Sequence, residues 1–279
     1  ETGEPGAVKT ADKQVLGASV QWYSKDTGAA SPFPVFEYGK IFTEESVQKV
    51  RKGEWTWETG MLRDQIYEAE RVRDHGLLVV YSNWSFLKNR SSVKEEYSDL
   101  ALDWVAYIAG RRESRRLMGD YILKQDDIDK NVYHEDGSFT CSWSIDLHFP
   151  DPENTKNFPG AEFKASTVFN RIYPYTVPYR CLYSRNIDNL FMAGRNISVT
   201  HVALGTVRVM RTTGMMGEVV GMAAYLCRKH DCMPREVYQM HLPELKVMMQ
   251  EGIGKKEGLN DQTFNRTNRH LKVPKALKE

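Results

Sequence analysis

The chain has 279 residues, 41% hydrophobic, 11% aromatic and 27% charged; that is enough for one large domain or two modest ones with a self-sufficient core, and it excludes disordered, collagenous and coiled-coil classes. Lys plus Arg total 38 against 37 Asp plus Glu, a net charge of +1, so no overall field exists to hold a nucleic-acid backbone or an anionic membrane. No apolar run approaches the roughly 20 residues of a membrane-spanning helix, the longest uncharged apolar candidate being residues 219–227. Residues 1–12 are polar and Gly-rich, without the basic-then-apolar order of a secretory leader. Cys141, Cys181, Cys227 and Cys232 have no C-x-x-C spacing, and they read as scattered buried thiols with no metal site and no essential disulfide.

Taken in chain order, residues 15–23 form a β-rich run, and Pro32 and Pro34 mark an extended loop. Residues 53–60 read as a strand that puts Trp55 and Trp57 on one face, as a core wall or a substrate pocket. From 61 to 76, Leu62, Ile66, Ala69 and Val72 recur at helical spacing, with Gly76 as the stop. Residues 77–84 fit either a buried strand or a continuation of that helix. A longer helix is predicted over 92–118, capped by Ser92 with Glu95 three residues on, its inner stripe being Tyr97, Leu100, Trp104, Tyr107 and Ile108.

At the end of that predicted helix Arg111, Arg112, Arg115 and Arg116 surround Glu113. They complement a helix dipole or hold an anion or a docking partner. Because a cluster of like charges repels itself, at least one of Arg112, Arg115 and Arg116 is expected to pair with an acid. Residues 139–149 alternate as a strand that delivers Asp146 and His148 to one face near its end.

The C-terminal third is the most informative. Residues 189–194 read as a short buried strand closing on Ala193 and Gly194; residues 195–204 are a polar crossing, and Gly205, Thr206, Val207 and Arg208 open a helix running to about Lys229. Gly214, Gly217, Gly221 and Ala224 leave one face of that helix nearly bare, which implies close approach of backbone or cofactor. A strand end, a hydrogen-bonding loop and a helix start form an anion-accepting mouth that suits phosphate and a reduced flavin alike. No G-x-G-x-x-G follows a first strand anywhere in the chain. Gly252, Gly254 and Gly258 have the wrong spacing for it and read as a loop in a polar tail.

Of the seven histidines, His230 and His270 have charged, tail-like surroundings, His75 lies in a helix C-terminal turn, His134 in an acidic turn, and His241 ahead of a proline. His148 and His201 are the candidates for a base working near neutral pH, with Arg180 or Arg208 orienting an anionic group.

Six blocks then carry a resemblance: Glu54-Trp55-x-Trp57-Glu58-x-Gly60; Arg73-Asp74 ahead of Asn83-Trp84; Gly110-x-Arg112-Glu113-Ser114-Arg115-Arg116-x-x-Gly119-Asp120-Tyr121-Ile122-Leu123; Asp146-x-His148; Pro178-Tyr179-Arg180-x-Leu182-Tyr183-Ser184; and Leu190-Phe191-x-Ala193-Gly194-Arg195-x-Ile197-Ser198-x-Thr200-His201-x-Ala203-Leu204-Gly205-x-x-Arg208-Val209-Met210. In this order they resemble the bacterial FAD-dependent oxidoreductase family, some of whose members carry a xanthan lyase label. The resemblance implies a flavoprotein of the glutathione-reductase-like type. Its fold class would be α/β: an α+β substrate domain with mixed sheet and helices over residues 1–188, then the returning strand-helix segment of an FAD-binding domain over residues 189–279. Ala193, Gly194 and Arg195 match the strand end beside the flavin, Ser198, Thr200 and His201 the following loop, and Gly205, Thr206, Val207 and Arg208 the helix start under the pyrimidine edge.

The unit that would hold the ADP half is absent from the sequence, so this chain alone is expected to bind FAD weakly. The expected partners are that N-terminal dinucleotide-binding portion and a small-molecule substrate, with a homo-oligomer as a further option and neither nucleic acid nor membrane. The expected activity is hydride transfer between a small organic or sugar-related substrate and flavin N5, in a bacterial cytoplasm or periplasm. Two alternatives stand beside it. One is a lyase in which Tyr183 or His148 abstracts a proton beside a uronate held by Arg180. The other is a non-catalytic carbohydrate-binding or docking module exposing Trp55, Trp57 and Trp84.

Overall fold

The computed structural model of the chain describes residues 4–6, 9–10, 12–36, 39 and 41–252. It is an α/β structure whose strands make small two- and three-stranded sheets among helices. The chain divides into two compact units, each discontinuous in sequence. A tryptophan unit comprises Asp12–Ser114 and His148–Val168, and a helical unit comprises Glu1–Ala11, Arg115–Leu147 and Phe169–Glu279. These units do not follow a cut at 188/189, because residues 115–147 and 169–188 belong with the C-terminal helices, and no shift in composition marks those junctions. The expected loop at Gly252–Gly258 lies, beyond Gly252, outside the described residues.

In the tryptophan unit, β1 (Ala18–Ser19) and β2 (Trp22–Asp26) come first, followed by β3 (Lys52–Gly53) and β4 (Glu58–Thr59). β1 pairs antiparallel with β4, and β2 with β3. The predicted strand over 53–60 is therefore split by a turn, in which Trp57 N donates to Glu54 O at 3.1 Å. That turn separates the two tryptophans, leaving Trp55 61% exposed and Trp57 5%. Trp57 and Trp84 meet Trp22 edge-on at 5.2 and 5.7 Å, the offset geometry that aromatic quadrupoles favour. Around them pack Val20, Phe42, Val79, Val80, Leu87, Tyr97, Phe158 and Phe163.

Helix α1 runs Ala69–Asn89. It starts eight residues later than predicted because the Asp64 carboxylate accepts from the Ile66 and Tyr67 N–H groups, a local turn that competes with helix. It then continues through Gly76, so residues 77–84 are helix. Gly76 is no stop, because Val20 occupies the space its Cβ would need. The predicted helix over 92–118 does not form. A 3₁₀ turn at Lys94–Tyr97 leads into β5 (Leu100–Val105), which pairs antiparallel with β2. Ser92 binds Glu44 instead of capping a helix, Trp104 stacks on Tyr23 across the sheet, and Tyr107 and Ile108 are exposed. Pairing with β2 overrides the 3.6-residue spacing.

The next elements are α2 (Gln125–Asp129), β6 (Gly137–Cys141), β7 (Ile145–Pro150), α3 (Pro152–Asn157), β8 (Ala165–Asn170) and β9 (Tyr175–Pro178). Residues 139–149 are thus parts of two strands, β6 pairing with β9 and β7 with β8. The unit boundary falls inside β7, so Asp146 belongs to the helical unit and His148 to the tryptophan unit. Residues 189–194 make a single bridge, Phe191 with Tyr183, in place of the predicted strand.

The predicted helix over 205–229 is two helices, α4 (His201–Val207) and α5 (Met210–His230), broken where Val209 turns extended. Gly205 accordingly sits inside α4 and does not open it. After the left-handed Asp231 come α6 (Pro234–Met240) and α7 (Leu242–Glu251).

The close approach of backbone expected along the face of Gly214, Gly217 and Gly221 does not occur among the described residues, and is found instead at Gly205 in α4. A Cβ there would stand 2.9 Å from Asp146 N and 3.1 Å from Asp146 O, whereas one at Gly214, Gly217 or Gly221 meets nothing within 4 Å among the described residues. Gly205→Ala should therefore lower stability by about 1–3 kcal/mol through overpacking. Gly217→Ala should instead raise it by about 0.5–1 kcal/mol, through helix propensity. Denaturant unfolding of the two variants checks both signs.

Candidate functional site

The tryptophan unit buries an acid, a base and a cation together. Glu58 is fixed by the pairing of β4 with β1 and by its N–H donating to Phe163 O at 2.9 Å, and it is 0% exposed. The other edge of β1 holds Gly110 through a pair of backbone bonds with Ser19, at 2.8 and 3.1 Å. That anchor brings Arg112, two residues on, to the same carboxylate. Arg112 Nη2 forms an ion pair with Glu58 Oε1 and donates to Trp55 O at 3.2 Å. The same Oε1 is hydrogen-bonded to His148 Nδ1 from β7. His148 is 3% exposed, and its backbone carbonyl accepts from Gln14 Nε2 at 3.2 Å.

With Glu58 accepting at Nδ1, the proton-accepting lone pair of a neutral His148 lies on Nε2. An acid that fixes a histidine tautomer is the arrangement general bases use. Two buried polar atoms of the cluster, Glu58 Oε2 and Arg112 Nε, have no hydrogen-bond partner among the described residues. The expectation that one arginine of the run pairs with an acid is met by Arg112, and the partner comes from a different strand. Glu113, inside the run, accepts from Leu16 N at 2.8 Å.

In the helical unit the other candidates fall into separate groups. Arg180 donates from Nε and Nη2 to the two oxygens of buried Asp136, each at 2.9 Å. Its guanidinium also lies over the rings of Tyr121 and Tyr238, at 5.2 and 5.0 Å. Arg208 reaches Asp146 Oδ2 at 2.8 Å, beside the Gly205 contact, so the partner of Asp146 is this arginine. Thr206 is buried in α4, where its hydroxyl donates to Ala203 O at 2.8 Å and meets Tyr175 Oη at 2.5 Å. Val207 is core.

Thr200 caps α4, accepting from Ala203 N at 3.3 Å, while its hydroxyl donates to Glu4 Oε2 at 3.0 Å. The same Glu4 oxygen accepts from Gln125 N at 2.7 Å, so one carboxylate serves the starts of α2 and α4. Ser198 is buried, with its N–H on Cys181 O, and His201 is half-buried as the first residue of α4. Ala193 and Arg195 are exposed on either side of Gly194, whose φ of +109° suits a residue without a side chain. Glu58, Asp136 and Glu4 were not legible as partners, because each meets its cation or helix from a segment distant in sequence.

A family model described as FAD dependent oxidoreductase matches residues 11–248. The chain belongs to the FAD dependent oxidoreductase family. No curated protein and no solved structure matches it. FAD is the cofactor this family implies. Residues 193–195 present two small residues and a cation around a positive-φ glycine, and the Gly194 N–H donates to Met216 Sδ at 3.2 Å. No helix among the described residues is long and apolar enough to cross a membrane.

The Glu58 cluster makes a strong demand on stability. Glu58→Gln should destabilise by about 3–5 kcal/mol, because it leaves the Arg112 charge enclosed without its counter-ion. The double variant Glu58→Gln/Arg112→Met should recover part of that loss, and equilibrium unfolding in urea measures both.

Proposed function

We propose that this chain is the substrate-binding and flavin-covering part of an enzyme that moves a hydride between a small organic or sugar-related substrate and FAD, with His148 as the base. Bound flavin supplies the hydride acceptor at N5. His148 Nε2 takes the hydroxyl or amine proton of the substrate, Glu58 holds the imidazole tautomer at Nδ1, and Arg112 pairs with the same Glu58 oxygen. The buried Glu58–His148 pair carries this proposal. His201 remains the second candidate. Arg180 is assigned a positioning role, since Asp136 already engages two of its nitrogens. Ala193, Gly194 and Arg195 would border the flavin, and Ser198 and Thr200 would shape the loop behind it. Gly205, Thr206, Val207 and Arg208 would fix α4 beneath.

The alternatives have less support. Tyr183 donates to Asp120 Oδ2 at 2.9 Å, and burial, aided by that bond, pushes its pKa far up, which is the wrong direction for a lyase base. Of the tryptophans a docking module would expose, Trp57 and Trp84 are buried.

Substrate-driven flavin reduction, followed by stopped flow in the full-length gene product, tests the base. The substrate would be whichever member of a panel of sugars, alcohols and amines bleaches the wild-type flavin. His148→Ala should slow reduction by about 10²–10⁴-fold and flatten its pH profile near neutrality; wild-type rates in that variant would end the proposal.

We further infer that the ADP half of FAD is held by a dinucleotide-binding unit not contained in this sequence. Titration of FAD into the 279-residue chain, read by flavin fluorescence, should show binding no tighter than about 10 μM, near −7 kcal/mol. Tight stoichiometric binding would place the main anchor within this chain.

A further inference from the structure

The end of α5 and the start of α7 bring together three side chains that the flavin chemistry does not use. His230 is the last residue of α5, His241 is the residue that joins α6 to α7, and Glu244 lies in the first turn of α7. His230 Nε2 is 2.8 Å from Glu244 Oε2. The two imidazoles stack with centroids 3.9 Å apart and planes 8° from parallel. One potential ligand atom from each of the three residues lies within 4.8 Å of the other two, and all three side chains are half-buried.

Glu244 is kept ionised, with hydrogen bonds first from Lys229 and then from His230 holding its carboxyl below the ordinary carboxylate range. Two imidazole nitrogens and one carboxylate form the donor set of three-ligand zinc sites, whose fourth position takes water. Calcium and magnesium prefer six or more oxygen ligands and are poorly served here.

We propose that His230, His241 and Glu244 bind one divalent cation of the zinc class, which clasps the end of α5 to the start of α7. Ligation requires the two rings to turn out of their stack until their lone pairs converge, a side-chain rotation that half-buried rings at helix ends permit. The cation also competes with Lys229, whose Nζ stands 2.6 Å from Glu244 Oε1 and whose side chain is 46% exposed. Lys229 is free to swing into solvent when the metal enters. The spacing of 11 and 3 residues between the ligands resembles no common metal motif, since it reflects how α5 and α7 meet. This proposal departs from the expectation of no metal site, which rested on the cysteines and not on these residues.

Isothermal titration of zinc chloride into the full chain, with thermal melts at matched zinc, tests the site. One zinc per chain should bind with a micromolar or tighter Kd and raise Tm. Binding should weaken at least about tenfold in His230→Ala and in His241→Ala, and should tighten in Lys229→Met, where the competing cation is gone. Far-UV circular dichroism confirms that each variant is folded. His241 makes no side-chain cap to α7, so its removal leaves the helix start intact. Zinc binding of parental strength in the His230→Ala/His241→Ala double variant would overturn the proposal, as would the absence of binding by the parent at 0.1 mM zinc, on the order of −5 kcal/mol. Binding that survives in that double variant and disappears in Cys227→Ser would move the metal to the neighbouring thiols and overturn it equally.

Discussion

A carboxylate with no solvent exposure organises the tryptophan unit. Burial of Glu58 is tolerable only because Arg112 and His148 meet the same oxygen, since an isolated charge in that environment would cost several kcal/mol. Each partner is delivered by a separate constraint. β1 holds β4 on one edge and Gly110 on the other, so one two-residue strand sets both Glu58 and the approach of Arg112. His148 comes in on β7. The wall of Trp22, Trp57 and Trp84 then supplies much of the apolar burial that offsets the polar interior.

Much of the chain was legible before any coordinates, and the limits have physical causes. The α/β class, the buried runs and the family came through, because composition and motif order survive without tertiary information. The predicted helix over 92–118 failed because Tyr97, Leu100 and Trp104 satisfy a helical period, while pairing of β5 with β2 decided the outcome. Gly76 showed the opposite error. A glycine near the end of an amphipathic run resembles a helix stop, and only the packing of Val20 against α1 reveals it as a point of close approach within a longer helix.

The candidate site was legible by residue type and hardly at all by partnership. His148 and Asp146 alternate correctly on a strand, but the strand passes from one compact unit to the other between them. Each then finds a partner within its own unit: Glu58 for His148, Arg208 for Asp146. Periodicity fixes which way a side chain points relative to its neighbour in sequence. It carries no information about what stands opposite, which depends on segments some 60 to 90 residues away.

The same distinction applies to the arginines. Arg112, Arg180 and Arg208 are each tied to an acid from a distant segment: Glu58, Asp136 and Asp146. Arg180 engages both oxygens of Asp136 in the bidentate form that gives most of its strength to geometry. Around Glu58 the bonding is incomplete, because both partners, Arg112 and His148, converge on Oε1 while Oε2 and Arg112 Nε are left buried without bonds among the described residues. Evolution rarely retains unsatisfied buried polar atoms for stability alone, since each costs about 1–3 kcal/mol. A histidine whose acid partner keeps spare hydrogen-bonding capacity can change protonation state without dismantling its surroundings, which is what the proposed role of His148 requires.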